Sequence, residues 1–296
     1  MWRIVNNRKY RGLSLHTVHE SLWDGWPEMK GASVFVKPNL VSPMSRWDFP
    51  STTRVQVVKL VLQKIVASGA ERIIVGECGF KGQWEQTLRS TGYDGLVKDF
   101  PTVEIVPLQD GENFRKFTLV RLDKYRSLFG ARFSNYMLES DMVINVPKLK
   151  VHCLAGITGA IKNMMGTMVQ KGSMHPRANA QILQERLADL YELTRSKVKF
   201  IVMDGIEGSE YAEQCGQSVR SGILLSGTDQ WEVDVAAARL MGFQPEQIPY
   251  LRYTLQRIQE RDREFYGSNS YKRQDFDSVQ VPEYLVKHYE RPLNWK

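Results

Sequence analysis

The chain has 296 residues, 42% hydrophobic and 25% charged, with 40 Lys+Arg against 33 Asp+Glu for a formal net charge of +7. This composition supplies core enough for one large domain or two modest ones and excludes disorder over most of the length. No run of about 18 apolar residues is present to span a bilayer, and the start, MWRIVNNRKYRGLSLHTV, lacks the basic-then-apolar order of a secretory signal, so no membrane partner and a cytoplasmic location are expected.

ASVFVK (Ala32 to Lys37) is a β-rich run ending at Pro38-Asn39. Apolar Val57, Val58, Leu60, Val61, Leu62, Ile65 and Val66 predict a helix from about Ser51 to Ser68, closed by Gly69. RIIVGE (Arg72 to Glu77) is a second strand, so the order is βαβ, and the glycine-rich turn ECGFKGQ follows. Next come a short helix near Trp84 to Ser90, a strand at Val103 to Val106, a polar excursion from Gln109 to Lys124, and the apolar strand DMVINVP, Asp141 to Pro147.

Beyond the segment HCLAGITGAIKNMMG, His152 to Gly166, a helix is predicted from about Ala178 to Thr194, then strands KFIVMDG (Lys199 to Gly205) and GILLSG (Gly222 to Gly227) and a helix at about Gln230 to Met241. The pattern is α/β, with mixed or mostly parallel sheets and flanking helices. It spans residues 1–245, with lobes at 30–150 and 151–245 and the site between them. Residues 246–296 read as a C-terminal helix and wrapping tail. No repeat or low-complexity tract stands out.

Three strand ends deliver polar residues: Lys37 and Asn39 after the first, Glu77 after the second, and Asn145, Lys148 and Lys150 around DMVINVP. Ligands of open α/β sheets collect at the carboxyl ends of strands, so these sets are expected to converge on one crevice. In STTR, Ser51 to Arg54, hydroxyls including Thr53 open a helix whose free N–H groups attract anions, and Arg54 there opposes the helix dipole unless an anion is present.

The same conflict marks HCLAGITGAIKNMMG. With Thr158 as N-cap and a helix from Gly159 to about Met168, Lys162 and Asn163 fall near the first turn, where carboxylates are favoured. A bound anion or a covalent task for the amine removes the conflict. His152 lies ten residues before Lys162 and His175 thirteen after. Histidine suits proton transfer or metal binding, and lysine suits phosphate binding or covalent attachment. Asp204, in MDGIEG with Glu207, ends a strand and is a candidate base or metal ligand, whereas Asp229 reads as a cap for the helix at Gln230. The metal candidates are therefore His152, His175 and Asp204. Cys78, Cys153 and Cys215 are far apart and form no CxxC, so neither a disulfide framework nor a cysteine-only cluster is expected.

Taken in order, VFVKPNLV, STTR, ERIIVGE, SDMVINVPKLKVH, GITGAIKNMMG, His175, VMDGIEG and GTDQWEVDVAAARLMGF resemble the domain of unknown function 362 family across residues 30 to 245. Many members of that family carry a ferredoxin-like cluster domain. This chain has no such cysteine run, so an iron–sulfur centre is not carried over. It departs from the family's pattern after MDGIEG, where SEYAEQCGQ replaces a turn with glycine and proline.

The spacing from His152 to Lys162 is also similar to the H…GxSGGAK segment of the lactate racemase family. That resemblance implies that Lys162 holds a nickel-bearing pyridinium nucleotide, that His152 moves a proton, and that His175 is a ligand. The histidine of that family after the second strand is absent here, where the chain reads ECGFKG, so the scaffold is carried over and the nickel cofactor is not.

The leading expectation is an enzyme binding an anionic small molecule, a carboxylate or phosphate. Lys37, Arg54, Lys148, Lys150 and Lys162 would anchor the anion, and His152 or His175 would transfer protons in isomerase or redox-type chemistry. A non-catalytic accessory delivering a cofactor or electrons to a partner is the alternative. Nucleic-acid binding, suggested by the charge and the Arg/Tyr-rich tail, comes last because no recognised motif supports it. A divalent metal is a candidate cofactor; substrate and oligomeric state are not encoded in any motif.

Overall fold

A computed structural model describes residues 1–7, 9–40, 43, 49–79, 82–109, 111–169, 171–214, 216–266 and 275–291. Phe80 and Lys81 of the glycine-rich turn, Cys215, and residues 267–274 and 292–296 of the expected tail lie outside the described residues.

Strand β1 (Trp2–Asn6) precedes the βαβ unit read from the sequence: β2 (Ser33–Pro38), α1 (Val55–Ala67) and β3 (Arg72–Glu77). Short helices α2 (Trp84–Thr91) and α3 (Leu96–Asp99) lead to β4 (Val103–Pro107). The polar excursion then forms a separate hairpin, β5 (Phe117–Arg121) with β6 (Gly130–Ser134), before helix α4 (Asn135–Glu139). Most of β5 faces solvent, which is why its apolar signal is weak.

Strand β7 (Met142–Val146) is followed after Pro147 by β8 (Lys148–His152), which turns into β9 (Gly156–Ile157) and helix α5 (Gly159–Asn163). Helix α6 (Ala180–Thr194), β10 (Val198–Glu210), β11 (Gln217–Val219), β12 (Ile223–Gly227), α7 (Gln230–Leu240) and α8 (Pro249–Tyr266) complete the fold. The main sheet runs β1-β12-β10-β7-β2-β3-β4. From β10 to β4 its neighbours are parallel, whereas β12 and β1 are antiparallel additions. The fold is thus a mixed, mostly parallel α/β sheet with flanking helices, and strands from both sides of residue 150 share it.

Strand alternation explains two separate cores. Val34 and Val36 of β2 join Val57, Val58, Leu62 and Ile65 of α1 on one face, and Phe35 joins residues of α6, α7 and α8 on the other. Each fully buried aliphatic side chain of this kind contributes roughly 1.5–3 kcal/mol. Asp229 caps α7 as expected, accepting from the N–H groups of Trp231 and Glu232.

Helix α5 differs from its expected length. It spans Gly159–Asn163 and tightens into a 3-10 turn at Met164–Thr167, which places Lys162 in its last turn instead of its first. A cation is favoured there, so the dipole conflict read from the sequence disappears. Within that turn a Cβ on Gly166 would collide with Glu77 Oε1 and Lys37 Nζ, so its backbone presses onto that pair.

The chain beyond α8 returns across the molecule. Lys287 N–H donates to Leu240 O at 2.7 Å, Tyr289 N–H to Met241 O at 3.0 Å, and Tyr211 N–H to Glu290 O at 3.3 Å. Among the described residues, no helix is long and apolar enough to cross a membrane.

Candidate functional site

The sequence KLKVH of β8 alternates, so Lys148, Lys150 and His152 share one face while Leu149 and Val151 enter the apolar core on the other. Strand β10 lies alongside, with Asp204 opposite Lys148 and Ser209 opposite Lys150.

Lys148 is fully buried and its Nζ lies 2.7 Å from Asp204 Oδ2. Asp204 also accepts from the Tyr10 hydroxyl at 2.9 Å and from the N–H of Arg54 at 3.0 Å. That last bond answers the Arg54 puzzle: the anion at the start of α1 is the protein's own Asp204. The Arg54 side chain lies 3.4 Å from Glu207 and stacks over the Tyr10 ring at 4.9 Å. Burial, then Asp204, push the Tyr10 hydroxyl pKa upward, so Tyr10 stays a neutral donor.

Lys37 forms a second buried ion pair, with Nζ 2.6 Å from Glu77 Oε2, and also donates to Pro38 O at 2.7 Å. Around it runs an amide network. Asn39 Nδ2 donates to Asn163 Oδ1 at 3.0 Å, and Asn163 Nδ2 donates to Asn145 Oδ1 at 2.7 Å and Lys37 O at 3.0 Å. Thr53 Oγ1 donates to Val146 O at 2.8 Å and accepts from the N–H of Asn39 at 3.0 Å. These groups lock the ends of β2 and β7 to α5. Asp234 of α7 does the same for the start of α5, its carboxylate accepting from the N–H groups of Ala160 and Ile161 and from the Tyr250 hydroxyl. Thr158, expected as the N-cap, makes no side-chain capping bond, and its buried hydroxyl has no hydrogen-bond partner.

Lys150 is the exception among the three lysines. It is 3% exposed, and its Nζ is held by two carbonyl oxygens, Ser51 O at 2.8 Å and Glu213 O at 3.2 Å, with no carboxylate in an ion pair among the described residues. Burial, then the neighbouring Lys162, lower its pKa to about 7. Burial, then the charges of Lys162, Lys150 and His175, hold His152 well below its usual range. Four basic residues from β8, α5 and the segment before α6 therefore act on one another electrostatically, together with the Glu213 carboxylate, whose charge reaches both Lys150 and Lys162.

The carboxylate of Glu213 faces Cys153, accepting from its N–H at 3.3 Å and its thiol at 3.2 Å. Burial opposes ionisation of Glu213, but hydrogen bonds from its own backbone and from Cys153 outweigh it and keep the carboxyl below its usual pKa. Burial, then Glu213, push the Cys153 thiol up to about 11. The ligand atoms of His152, Cys153 and Glu213 lie within 4.8 Å of one another, a spacing compatible with a metal ion. Their protons argue otherwise. His152 Nδ1 accepts from the N–H groups of Leu154 at 3.1 Å and Ala155 at 3.2 Å, so the ring proton belongs on Nε2, and the thiol proton sits on the bond to Glu213. An ion here would have to displace both protons.

The expected residues thus divide. Lys150, His152, Lys162 and His175 are linked by their charges. Lys37, Asn39, Thr53, Glu77 and Asn163 form a buried network of their own, and Lys148, Arg54 and Asp204 form a second hub around Tyr10. As a metal candidate Asp204 is committed elsewhere, since Lys148, Tyr10 and Arg54 occupy its oxygens. Cys153 and Glu213 escaped the sequence reading: Glu213 lies in the SEYAEQCGQ segment that departs from the family pattern, and no spacing rule links it to Cys153, 60 positions away. The alternation of KLKVH was the available signal for Lys150 and His152 as a pair.

The model of a family described as "Domain of unknown function (DUF362)" matches residues 34–239. The chain belongs to that family. The match runs from β2 to near the end of α7 and so contains every residue of the cluster. Relatives of this DUF362 chain include the "Thylakoid-associated protein sll1697" of Synechocystis sp., 25% identical over 224 residues, a match covering 74% of this chain and 66% of that protein. The chain therefore spans just under two thirds of that relative's length. Among solved structures, the lactate racemase apoprotein from Thermoanaerobacterium thermosaccharolyticum is similar with a TM-score of 0.46 and 15% identity, covering 75% of this chain and 53% of that one.

Proposed function

We propose that this DUF362 protein is an enzyme that binds an anionic small molecule, a carboxylate or phosphate, among Lys150, Lys162, His152 and His175, and moves a proton there. One observation carries the reading: of three buried lysines on β2 and β8, Lys37 and Lys148 each hold a buried carboxylate, whereas the hydrogen bonds of Lys150 go to carbonyl oxygens. A buried cation beside a second lysine is costly, and a ligand oxyanion would add to the negative charge that Glu213 already brings near it. His152 presents Nε2–H as a donor to that anion, and Lys162 contributes positive charge. Lys150, with its pKa near neutrality, can take up or release a proton at physiological pH. Neither of the helix starts that the sequence marked needs an external anion, because Asp204 and Asp234 fill them.

Titration calorimetry with inorganic phosphate and a panel of simple mono- and dicarboxylates tests the proposal. At least one anion is expected to bind at pH 6 and to bind roughly tenfold or more weakly at pH 9, where Lys150 has lost its proton. Lys150→Met should abolish binding at pH 6 in a protein that melts cooperatively. Unchanged affinity in that variant, or no binding by any anion, would sink the proposal.

A further inference from the structure

We infer that Lys150 is an imine-forming lysine and that the substrate is an anion bearing a ketone or aldehyde, a 2-oxo acid being the simplest class. The inference rests on the anion-binding reading and adds a covalent step to it. Three geometric facts single out Lys150. Its ammonium has no partner carboxylate among the described residues, while Lys37 and Lys148 are committed to ion pairs that forbid attack. It sits on a strand interior between β10 and β9, so the backbone fixes its direction. Its two acceptors are carbonyls on turns, Ser51 and Glu213, instead of rigid sheet partners.

The nearby Lys162 adds the chemistry. A second ammonium beside a buried lysine keeps the first one partly neutral and gives the carboxylate of the incoming substrate a counter-ion. The lowered pKa of Lys150 agrees with this arrangement. In the reaction the Nζ lone pair forms the C–N bond, and the carbonyl π electrons move to oxygen. Both amine hydrogens then leave with that oxygen as water, so the step needs neither oxidant nor reductant. Once protonated, the imine draws electrons from the adjacent carbon and makes its C–H acidic, which joins this step to the proposed proton transfer.

Access requires the turn carrying Glu213 to move. Tyr211 at the start of that turn holds a left-handed φ of 64° and is 39% exposed, and Glu213 itself is only half-buried. A non-glycine residue holds that region at a cost, which leaving it would relieve. Withdrawal of the Glu213 carbonyl would free one side of Nζ.

The test is reductive trapping: purified protein at pH 7 with pyruvate and cyanoborohydride, followed by peptide mass spectrometry. The peptide containing Lys150 is expected to gain the mass of pyruvic acid less one oxygen atom, at least tenfold faster than peptides with exposed lysines. Inorganic phosphate should slow the labelling, and Lys150→Arg, which keeps the charge but cannot form the imine, should abolish it there while leaving other sites unchanged. Labelling confined to exposed lysines or to Lys162, in a protein that still binds phosphate or pyruvate by calorimetry, overturns the imine and leaves the anion site standing. Absence of both labelling and binding overturns both.

Discussion

Lys150 and Asp234 are buried groups whose ordinary charge states the fold disfavours, in opposite pH windows. Burial and Lys162 lower Lys150 from 10.5 to about 7. Between those values the unfolded chain carries the extra proton, so this group makes stability rise with pH across the window. Lys150→Met is accordingly expected to be more stable than the parent at pH 6, by a few kcal/mol, with the advantage shrinking toward pH 10. Urea melts at pH 6 and pH 9.5 measure it, and an advantage that grows with pH would contradict the assignment. For Asp234 burial dominates and raises the carboxyl from 3.8 to about 7, against the hydrogen bonds from Ala160, Ile161 and Tyr250. Its contribution runs the other way: stability falls as pH rises from about 4 to 7.

Helix α5 shows how a short element can be specified almost wholly by its neighbours. Five residues supply too few internal hydrogen bonds to hold a helix alone. Asp234 takes its first N–H groups, the asparagine network holds its last turn, and Gly159, at φ 56°, has no room for a side chain because a Cβ would lie 2.5 Å from Asp234. Replacing Asp234 with Ala orphans two buried N–H groups and the Tyr250 hydroxyl, which is expected to cost about 3 kcal/mol or more. Tyr250→Phe should cost about 1 kcal/mol. Thermal melts of the two variants give the comparison; equal losses would show that the cap contributes little. Lys162 rides on this element, so anion affinity should fall in Asp234→Ala as well.

For the whole molecule, the returning C-terminal segment joins two distant parts of the fold. Tyr289 is 4% exposed, its hydroxyl shares a 2.8 Å hydrogen bond with Ser221, and it packs so closely on Gly208 that a Cβ there would lie 1.9 Å from the hydroxyl. One residue on, Glu290 binds the backbone of Tyr211 and the side chain of Glu210, so the segment steadies the turn that carries Glu213 over Lys150. Tyr289→Ala is expected to destabilise the protein by about 3–5 kcal/mol and to raise the exchange rate of amide protons in the turn after β10. Hydrogen exchange reads the second effect, and protection unchanged in that turn would separate the tail from the site.

The sequence by itself determined the layered α/β order, because strands buried on both faces must be apolar runs and helices must show a 3.6-residue stripe. RIIVGE, the helix with Leu60 and Ile65, and the Asp229 cap are each written in a few neighbouring residues. It also marked Lys162 as a cation in an apolar run, His152 and His175 as the histidines that flank it, and Lys150 as a polar residue near a strand end. Tertiary structure alone decided which cations were already neutralised. Lys37 and Glu77 are separated by 40 positions, Lys148 and Asp204 by 56, and Ile161 and Asp234 by 73, and no local pattern records such pairings. The sequence showed lysines where anions were wanted; the fold placed its own carboxylates at Lys37 and Lys148 and gave the hydrogen bonds of Lys150 to carbonyl oxygens.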